Sequence, residues 1–330
     1  MKYISLPTCE EHSPTSGGGL RLSFYLAMEE YVARYIDDDD LFFMWQVPPT
    51  VIFGRNQLIE NEVNVDYCRK HGIQMYRRKS GGGCVYADQS NVMFSYVTKD
   101  ENVNLTFSRY INMVVLVLRK LGVDAHSTGR NDVMIGDRKV SGNAFYHIPG
   151  RSIVHGTMLY DTCMEHMVGA ITPDDAKLLT KGVESVRQHI ALLKDYITLS
   201  LDEFMAFVRK NLCQEELELS ADALVKIAEI EREYLSKSFI FGNNPRYTVV
   251  RRGRIAGVGQ LEARLQLKNN IIKSLNLVGD YFLVGELDAL LSHLKGVALT
   301  RESLDAALPA RIDNVVRHLE RDDFINLLIQ

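Results

Sequence analysis

Hydrophobic and polar positions change period several times along the chain, and each change predicts an element. In "LRLSFYLAMEEYVARYI" (20–36) apolar residues recur at roughly helical spacing, which predicts an amphipathic helix after the turn-forming stretch "EHSPTSGGG" (11–19). "DDDD" at 37–40 reads as a solvated turn, and "LFFMWQV" behind it has the character of a buried strand. "TVIFG" and "VMFSYV" predict further strands, while "SRYINMVVLVLRKLG" predicts a helix stopped by Gly122. From 180 to 240 the pattern is mostly helical and includes "SLDE", a capping box in which Ser200 and Glu203 satisfy free amides at a helix start.

The pattern then breaks at "NNPRY" (243–247). "LEARLQLKNNIIKSLNL" sets Leu261, Ala263, Leu265 and Leu267 in alternation with Glu262, Arg264, Gln266 and Lys268. This predicts a strand with one buried face, a turn at Asn269 and Asn270, and a return strand. "ELDALLSHL" places Leu287, Leu290, Leu291 and Leu294 on one helical face. The expected organisation is α+β: a mixed-sheet domain over 1–244 and a small α+β domain over 245–330, with no internal repeat.

A formal net charge of -4 over 330 residues gives no global reason to expect nucleic acid or anionic lipid as a partner, so any basic feature must be local. The five cysteines (Cys9, Cys68, Cys84, Cys163, Cys213) are scattered without metal-ligand spacing, which indicates neither a disulfide framework nor a zinc site. The purest apolar run, "MVVLVL", is far too short to span a bilayer. These features predict a soluble, cytoplasmic chain.

One stretch concentrates charge beside bare backbone: "YRRKSGGGCVYADQSN" (76–91) runs Arg77, Arg78 and Lys79 into three glycines. Glycines let backbone amides approach an anion closely, and the flanking cations would neutralise it. The same letters also suit a flexible glycine hairpin with solvated charges, as the "GGG" at 17–19 shows by having no basic cluster. Neither a Walker pattern nor G-x-G-x-x-G is present, so P-loop and dinucleotide folds are not supported. A second constellation, "STGRNDVMIGDRKVSGNAF" (127–145) followed by "IVHGTMLY", offers Arg130, Asn131 and Asp132. A tight turn at Gly136 and Asp137 then leads to Lys139 and the small residues Ser141, Gly142 and Ala144, which would let a ligand lie close.

In this order "RRKSGGGCVYADQSN", "GRNDVMIGDRKVSGNA", "VHGTMLY" and "KGVESVR" closely resemble the lipoate-protein ligase A family, with "SFYLAMEEYV" and "LVGDYF" extending the match over most of the chain. The resemblance implies a biotin/lipoate ligase-like catalytic domain and a C-terminal accessory domain. It implies ATP and Mg2+ as cofactors, lipoate as substrate, and as acceptors the lipoyl domains of 2-oxoacid dehydrogenase E2 subunits or the glycine-cleavage H protein. Lipoate would be activated to lipoyl-AMP with release of pyrophosphate, then passed to one acceptor lysine. Carried over by position, Arg78, Gly81, Gly82, Gly83, Cys84, Val85 and Tyr86 would hold the nucleotide, with Arg77 as a secondary candidate. Lys139 would be the catalytic cation reaching both ATP and the lipoate carboxyl. Asn131 and Asp132 would lie beside the adenylate, Asp132 as a magnesium or adenine contact. Ser141, Gly142 and His155 would line the lipoate site, His155 being equally a core histidine. Lys181 and Arg187 would stabilise triphosphate or a closed conformation, or serve only as surface charge.

Ala87 and Ser90 stand where the family commonly has histidine and glycine, which puts the role of Asp88 and details of the nucleotide loop in question. Three rivals remain: an acyltransferase working through a cysteine thioester, a lipoyltransferase that uses only preformed lipoyl-AMP, and a non-catalytic lipoate or lipoyl-domain binder. Cys84 is expected to be a small packing residue, against the first. The C-terminal domain favours the full ligase over the second.

Overall fold

Strands β2 (Asp40–Trp45) and β6 (Val92–Thr98) send alternate side chains into two different cores, which is why both read as nearly unbroken apolar runs. Phe42, Met44, Phe94 and Tyr96 enter one core; Leu41, Phe43, Trp45, Met93 and Val97 enter the other. They sit at the centre of an eight-stranded mixed sheet of order β11-β1-β2-β6-β10-β9-β8-β7 among the described residues. Its other members are β1 (Lys2–Ser5), β7 (Ala125–Ser127), β8 (Asp132–Ile135), β9 (Arg138–Ile148), β10 (Arg151–Met158) and β11 (Glu215–Glu218). The computed structural model describes residues 1–7, 20–100, 102–129, 131–171, 188–242 and 247–330. The loop expected at 11–19, Cys9, Arg130, the segment 181–187 with Lys181 and Arg187, and the break at 243–246 lie outside them.

Helices cover the two faces. On one, α1 (Leu22–Tyr35) packs with Leu22, Leu26 and Val32 inward. A small sheet lies on the same side: β3 (Thr50–Phe53) runs between β4 (Gln74–Arg77) and β5 (Val85–Ala87), with α2 (Ile59–Glu62), α3 (Val65–His71) and α5 (Met164–Ala170) nearby in the chain or in contact. The other face is covered by α4 (Val103–Lys120), through Phe107, Ile111, Val114 and Leu118, and by α6 (Leu201–Leu212), which starts at the capping box of Ser200 and Glu203 as expected. Truncating one such core side chain, Leu118→Ala for instance, costs about 2–5 kcal/mol. Two more helices, α7 (Ala221–Leu235) and α8 (Lys237–Phe241), return to the first face.

The structure departs from the sequence pattern in two places. Asp40 is the first residue of β2 rather than part of a solvated turn, its carboxylate accepting from the Tyr96 hydroxyl at 2.6 Å and from Arg109 at 2.9 Å. The helical stretch 180–240 is interrupted by β11, "EELE", which pairs in parallel with β1. Its glutamates line a sheet edge, where backbone pairing, not apolar alternation, makes the strand.

Residues from 247 onward have their own sheet and core. β12 (Val249–Ile255), β13 (Gly259–Lys268) and β14 (Ile271–Gly279) form an antiparallel meander. The β13–β14 hairpin turns on Asn269 and Asn270, both at positive φ (52° and 61°), the two-residue turn that strand twist favours. Helices α9 (Leu287–Ser292), α10 (Arg301–Ala307) and α11 (Arg321–Ile329) bury Leu290, Leu304 and Phe324 against it. This unit docks on the larger one: Phe282 stacks on Phe145 with ring centroids 5.8 Å apart, and the Arg317 guanidinium lies 5.2 Å from the Phe107 ring.

Candidate active site

Between the large sheet, α1 and the glycine loop lies a cleft of about 630 Å³ counted with its open mouth. Its lining has two chemical components. Leu22 and Leu26 of α1, Trp45 of β2, Ile52 of β3 and Met93 of β6 supply apolar surface. Arg78, Gly82, Gly83, Cys84, Val85, Asn131, Lys139, Gly142 and His155 supply charge, polar groups and backbone. A ligand with an apolar body and an anionic head fits this polarity.

Arg78 is buried, and its guanidinium is committed to the loop itself. Nη1 donates to the Ile52 carbonyl at 3.1 Å, Nη2 to the carbonyls of Gly81 and Gly83 at 2.6 and 2.8 Å, and Nε to the Ser80 hydroxyl at 2.9 Å. Burial pulls it down to about 10, so it stays charged at neutral pH. Its charge therefore reaches the cavity from behind the backbone it shapes, and not as the free phosphate clamp that the sequence suggests. Gly82, at φ +85°, has the Phe282 ring where a Cβ would stand, only 3.1 Å away. Arg77, one residue earlier on β4, points away from the cavity: it donates to the carbonyls of Gly54, Arg55, Gln57, Phe239 and Ile240 and stacks on Phe53.

Lys139 rises from β9 just after the Gly136–Asp137 turn, its side chain 42% exposed. The ammonium lies 3.6 Å from Asp132 Oδ1 on the paired strand, longer than a hydrogen bond, so it keeps donors for a ligand. Beneath it, Gly142 leaves the wall bare. Asn131 and Asn143 bind each other reciprocally: Asn131 Nδ2 donates to the Asn143 carbonyl at 3.2 Å, and Asn143 Nδ2 donates to the Asn131 carbonyl at 3.0 Å. Gly156 is required for this clamp, because a Cβ there would stand 1.8 Å from Asn143 Oδ1.

His155 lines the cavity but its ring is fully engaged. Nδ1 lies 2.9 Å from Oε2 of the buried Glu29 carboxylate, and Nε2 lies 2.7 Å from the Ser80 hydroxyl. The thiol of Cys84 is pushed well up by burial, with Glu62 adding to the shift, which opposes the thiolate a thioester mechanism needs. Among the described residues no group of three or more histidines, cysteines or acidic side chains could hold a metal ion. Asp132 Oδ1 is nevertheless buried with no hydrogen-bond partner, the kind of oxygen a cation would satisfy.

The structure thus brings Arg78, Gly82, Gly83, Cys84, Val85, Asn131, Lys139, Gly142 and His155 to the lining of one cavity. Asp132 stands behind Lys139. Tyr86 and Ser141 lie off that lining. Strand alternation turns Tyr86 into the core with Val51 and Phe53 while Val85 faces the cavity, and the Ser141 hydroxyl donates to Asn143 Oδ1. Gly81 is pressed against the Tyr281 carbonyl, which a Cβ would meet at 2.4 Å. Asp88 makes a turn: it accepts from the amides of Ser90 and Cys163 at 2.9 and 3.2 Å, so the serine at 90 serves the loop's shape. Sequence reasoning did not pick out the residues of the apolar wall, or Glu29. The signal for Glu29 was a carboxylate two turns beyond Leu22 and one beyond Leu26 on a helix's buried stripe.

Two family profiles match this chain: the lipoyl protein ligase A/B catalytic domain over residues 22–213, and the bacterial lipoate protein ligase C-terminus over 244–328. Lipoate-protein ligase LplJ of Bacillus subtilis is 29% identical over 92% of this chain and 95% of its own length. Lipoate–protein ligase 1 of Staphylococcus aureus is 32% identical over 86% and 89%. Among solved structures, the bipartite ligase of Thermoplasma acidophilum, described with its E2 lipoyl domain, superposes with TM-score 0.64 at 27% identity, over 75% of this chain and 98% of that one. A lipoate-protein ligase A bound with ATP gives 0.58 at 26%, over 67% and 94%. Plasmodium falciparum LipL1, in complex with lipoate, shares the fold over 100% of this chain and 99% of its own, with TM-score 0.76 at 19% identity.

Proposed function

This chain belongs to the lipoyl protein ligase A/B family, and from that premise we propose that it is an ATP-dependent lipoate-protein ligase acting in the cytoplasm. Residues 1–244 form the catalytic part and 245–330 an accessory part in this reading. The observation that carries it is the cavity's polarity: apolar side chains around Trp45 share the lining with the Lys139 ammonium and the side-chain-free backbone of Gly83.

The chemistry asks for that juxtaposition. A carboxylate is a poor acyl donor, so it must first attack the α-phosphorus of ATP. The bond to the bridging oxygen breaks, pyrophosphate departs, and lipoyl-AMP is left as a mixed anhydride. Two anions must approach each other for this step. Lys139, with donors to spare, lies where one cation can touch both, offsetting charge as it develops. The buried Arg78 charge and the glycine amides favour phosphate there too. Asp132, whose Oδ1 lies 3.6 Å from the Lys139 ammonium and accepts no hydrogen bond, would hold magnesium beside the phosphates. In the second step the acceptor lysine amine loses a proton and attacks the lipoyl carbonyl; the carbonyl–phosphate bond breaks and AMP leaves.

The acceptors are lipoyl domains of 2-oxoacid dehydrogenases or the glycine-cleavage H protein. Incubation of each unmodified acceptor with the chain, ATP, magnesium and lipoate, read by intact mass, tests this: one lipoyl group should appear on one lysine and only with ATP. Transfer from added lipoyl-AMP alone would make the protein a transferase.

A further inference from the structure

One buried carboxylate is linked to two residues that line the cavity, to His155 directly and to Trp45 through Ser95. Glu29, with its side chain fully buried on α1, lies 2.9 Å from His155 Nδ1 and accepts from the Ser95 hydroxyl at 2.5 Å. On the His155 side the chain of hydrogen bonds continues through Ser80, 2.7 Å from Nε2, to Arg78 Nε at 2.9 Å, and Arg78 holds the carbonyls of Gly81 and Gly83. On the Ser95 side it continues to the indole N–H of Trp45 at 2.8 Å, and Trp45 belongs to the apolar wall. The route runs from Arg78 through Ser80 and His155 to Glu29, and from Trp45 through Ser95 to Glu29, with Arg78 Nε also reaching the Gly81 carbonyl at 3.2 Å and His155 Nδ1 lying 3.0 Å from Glu29 Oε1 as well. Hydrogen bonds in such a buried network polarise one another, which gives a continuous physical route between Trp45 and the glycine loop.

We propose that Glu29 is a positioning residue that couples Trp45 to the glycine loop, so that an acyl chain against Trp45 raises the affinity of that loop for nucleotide. This rests on the ligase reading above. An acyl chain against Trp45 fixes the indole and through it the carboxylate. The carboxylate in turn fixes His155, Ser80 and the guanidinium on which the loop carbonyls hang. The result is an ordered binding preference, lipoate favouring ATP and, by reciprocity, ATP favouring lipoate.

The test is calorimetric titration of the full-length protein with a non-hydrolysable ATP analogue, with and without saturating lipoate, for wild type and Glu29→Gln, Ser80→Ala and Ser95→Ala. Thermal unfolding first shows which variants fold. In wild type, lipoate should tighten the analogue about fivefold or more, a typical coupling between sites. Glu29→Gln keeps the side chain's volume but replaces one acceptor by a donor, and should bring that ratio close to unity. Each serine variant cuts one arm and should lower the ratio too, an effect that lost stability alone would not produce. A wild-type ratio kept in folded Glu29→Gln, or in Ser95→Ala if the glutamine variant does not fold, overturns the proposal, as does a ratio of unity in wild type. Pyrophosphate release by the same wild-type preparation separates the two claims. Release without coupling sinks the role of Glu29 alone; absence of release sinks the ligase reading and the coupling with it.

Discussion

The Gly82 amide donates to the Tyr281 carbonyl across 3.3 Å, so the C-terminal unit holds one of the backbone groups that the glycine loop would offer to a phosphate. Phe282, the next residue, packs its ring against the same glycine and stacks on Phe145. Docking of the C-terminal unit and phosphate binding therefore compete for that amide. Phe282→Ala should loosen the docking and lower the KM for ATP while reducing thermal stability, measured by steady-state pyrophosphate release and by unfolding. An unchanged or raised KM would mean that the contact does not compete.

Arg78 supports the loop through four different acceptors, which a single ammonium cannot reproduce. Arg78→Lys, with three donors on one short-reaching ammonium, should leave at least one of these buried acceptors unpaired and cost about 1–3 kcal/mol for each one lost in urea unfolding. Loss of activity with stability intact would instead indicate a direct phosphate contact.

Much of the scaffold is legible in the chain. The strand at 261–268 and the Asn269–Asn270 turn match the β13–β14 hairpin, and the α6 capping box is formed as "SLDE" suggests. The single buried face does not hold throughout: Glu262 and Arg264 are buried too, paired with each other at 2.6 Å. Those signals are local, each set by a few neighbouring residues. The site is less legible because its decisive partners are distant. "LFFMWQV" reads as a buried strand, but only the placement of α1 makes Trp45 a cavity wall. In the same way "RRK" reads as free positive charge. Its first two guanidiniums are in fact taken up by backbone carbonyls, and Lys79 by Glu30 and Glu233.

Burial opposes ionisation of Glu30, but hydrogen bonds and charge from Lys79 and Arg34 outweigh it and hold its carboxyl below the ordinary value of 4.5. Because the folded-state value is depressed, this contribution to stability is fully present above 4.5 and is lost as pH falls below it. Lys79→Met should therefore be less stable than wild type at pH 7. The gap between the two should narrow as the pH is lowered through the range below 4.5, followed by urea unfolding at each pH. A gap that stays constant would place the Lys79 contribution elsewhere.

Cys84 borders the cavity with its thiol pushed up by burial. Cys84→Ser should retain lipoate activation at the wild-type order of magnitude, and intact mass of the working enzyme should show no covalent lipoyl adduct. An adduct lost in the variant would revive a thioester mechanism.

Pyrophosphate release from ATP and magnesium in the absence of any acceptor, with and without lipoate, tests the central claim most directly in wild type and Lys139→Ala. The account predicts release that depends on lipoate, lipoyl-AMP retained on the wild-type protein by mass spectrometry, and loss of both in the variant, whose unfolding should match wild type because the Lys139 side chain is 42% exposed. No release from folded wild type, or undiminished release from Lys139→Ala, would contradict it.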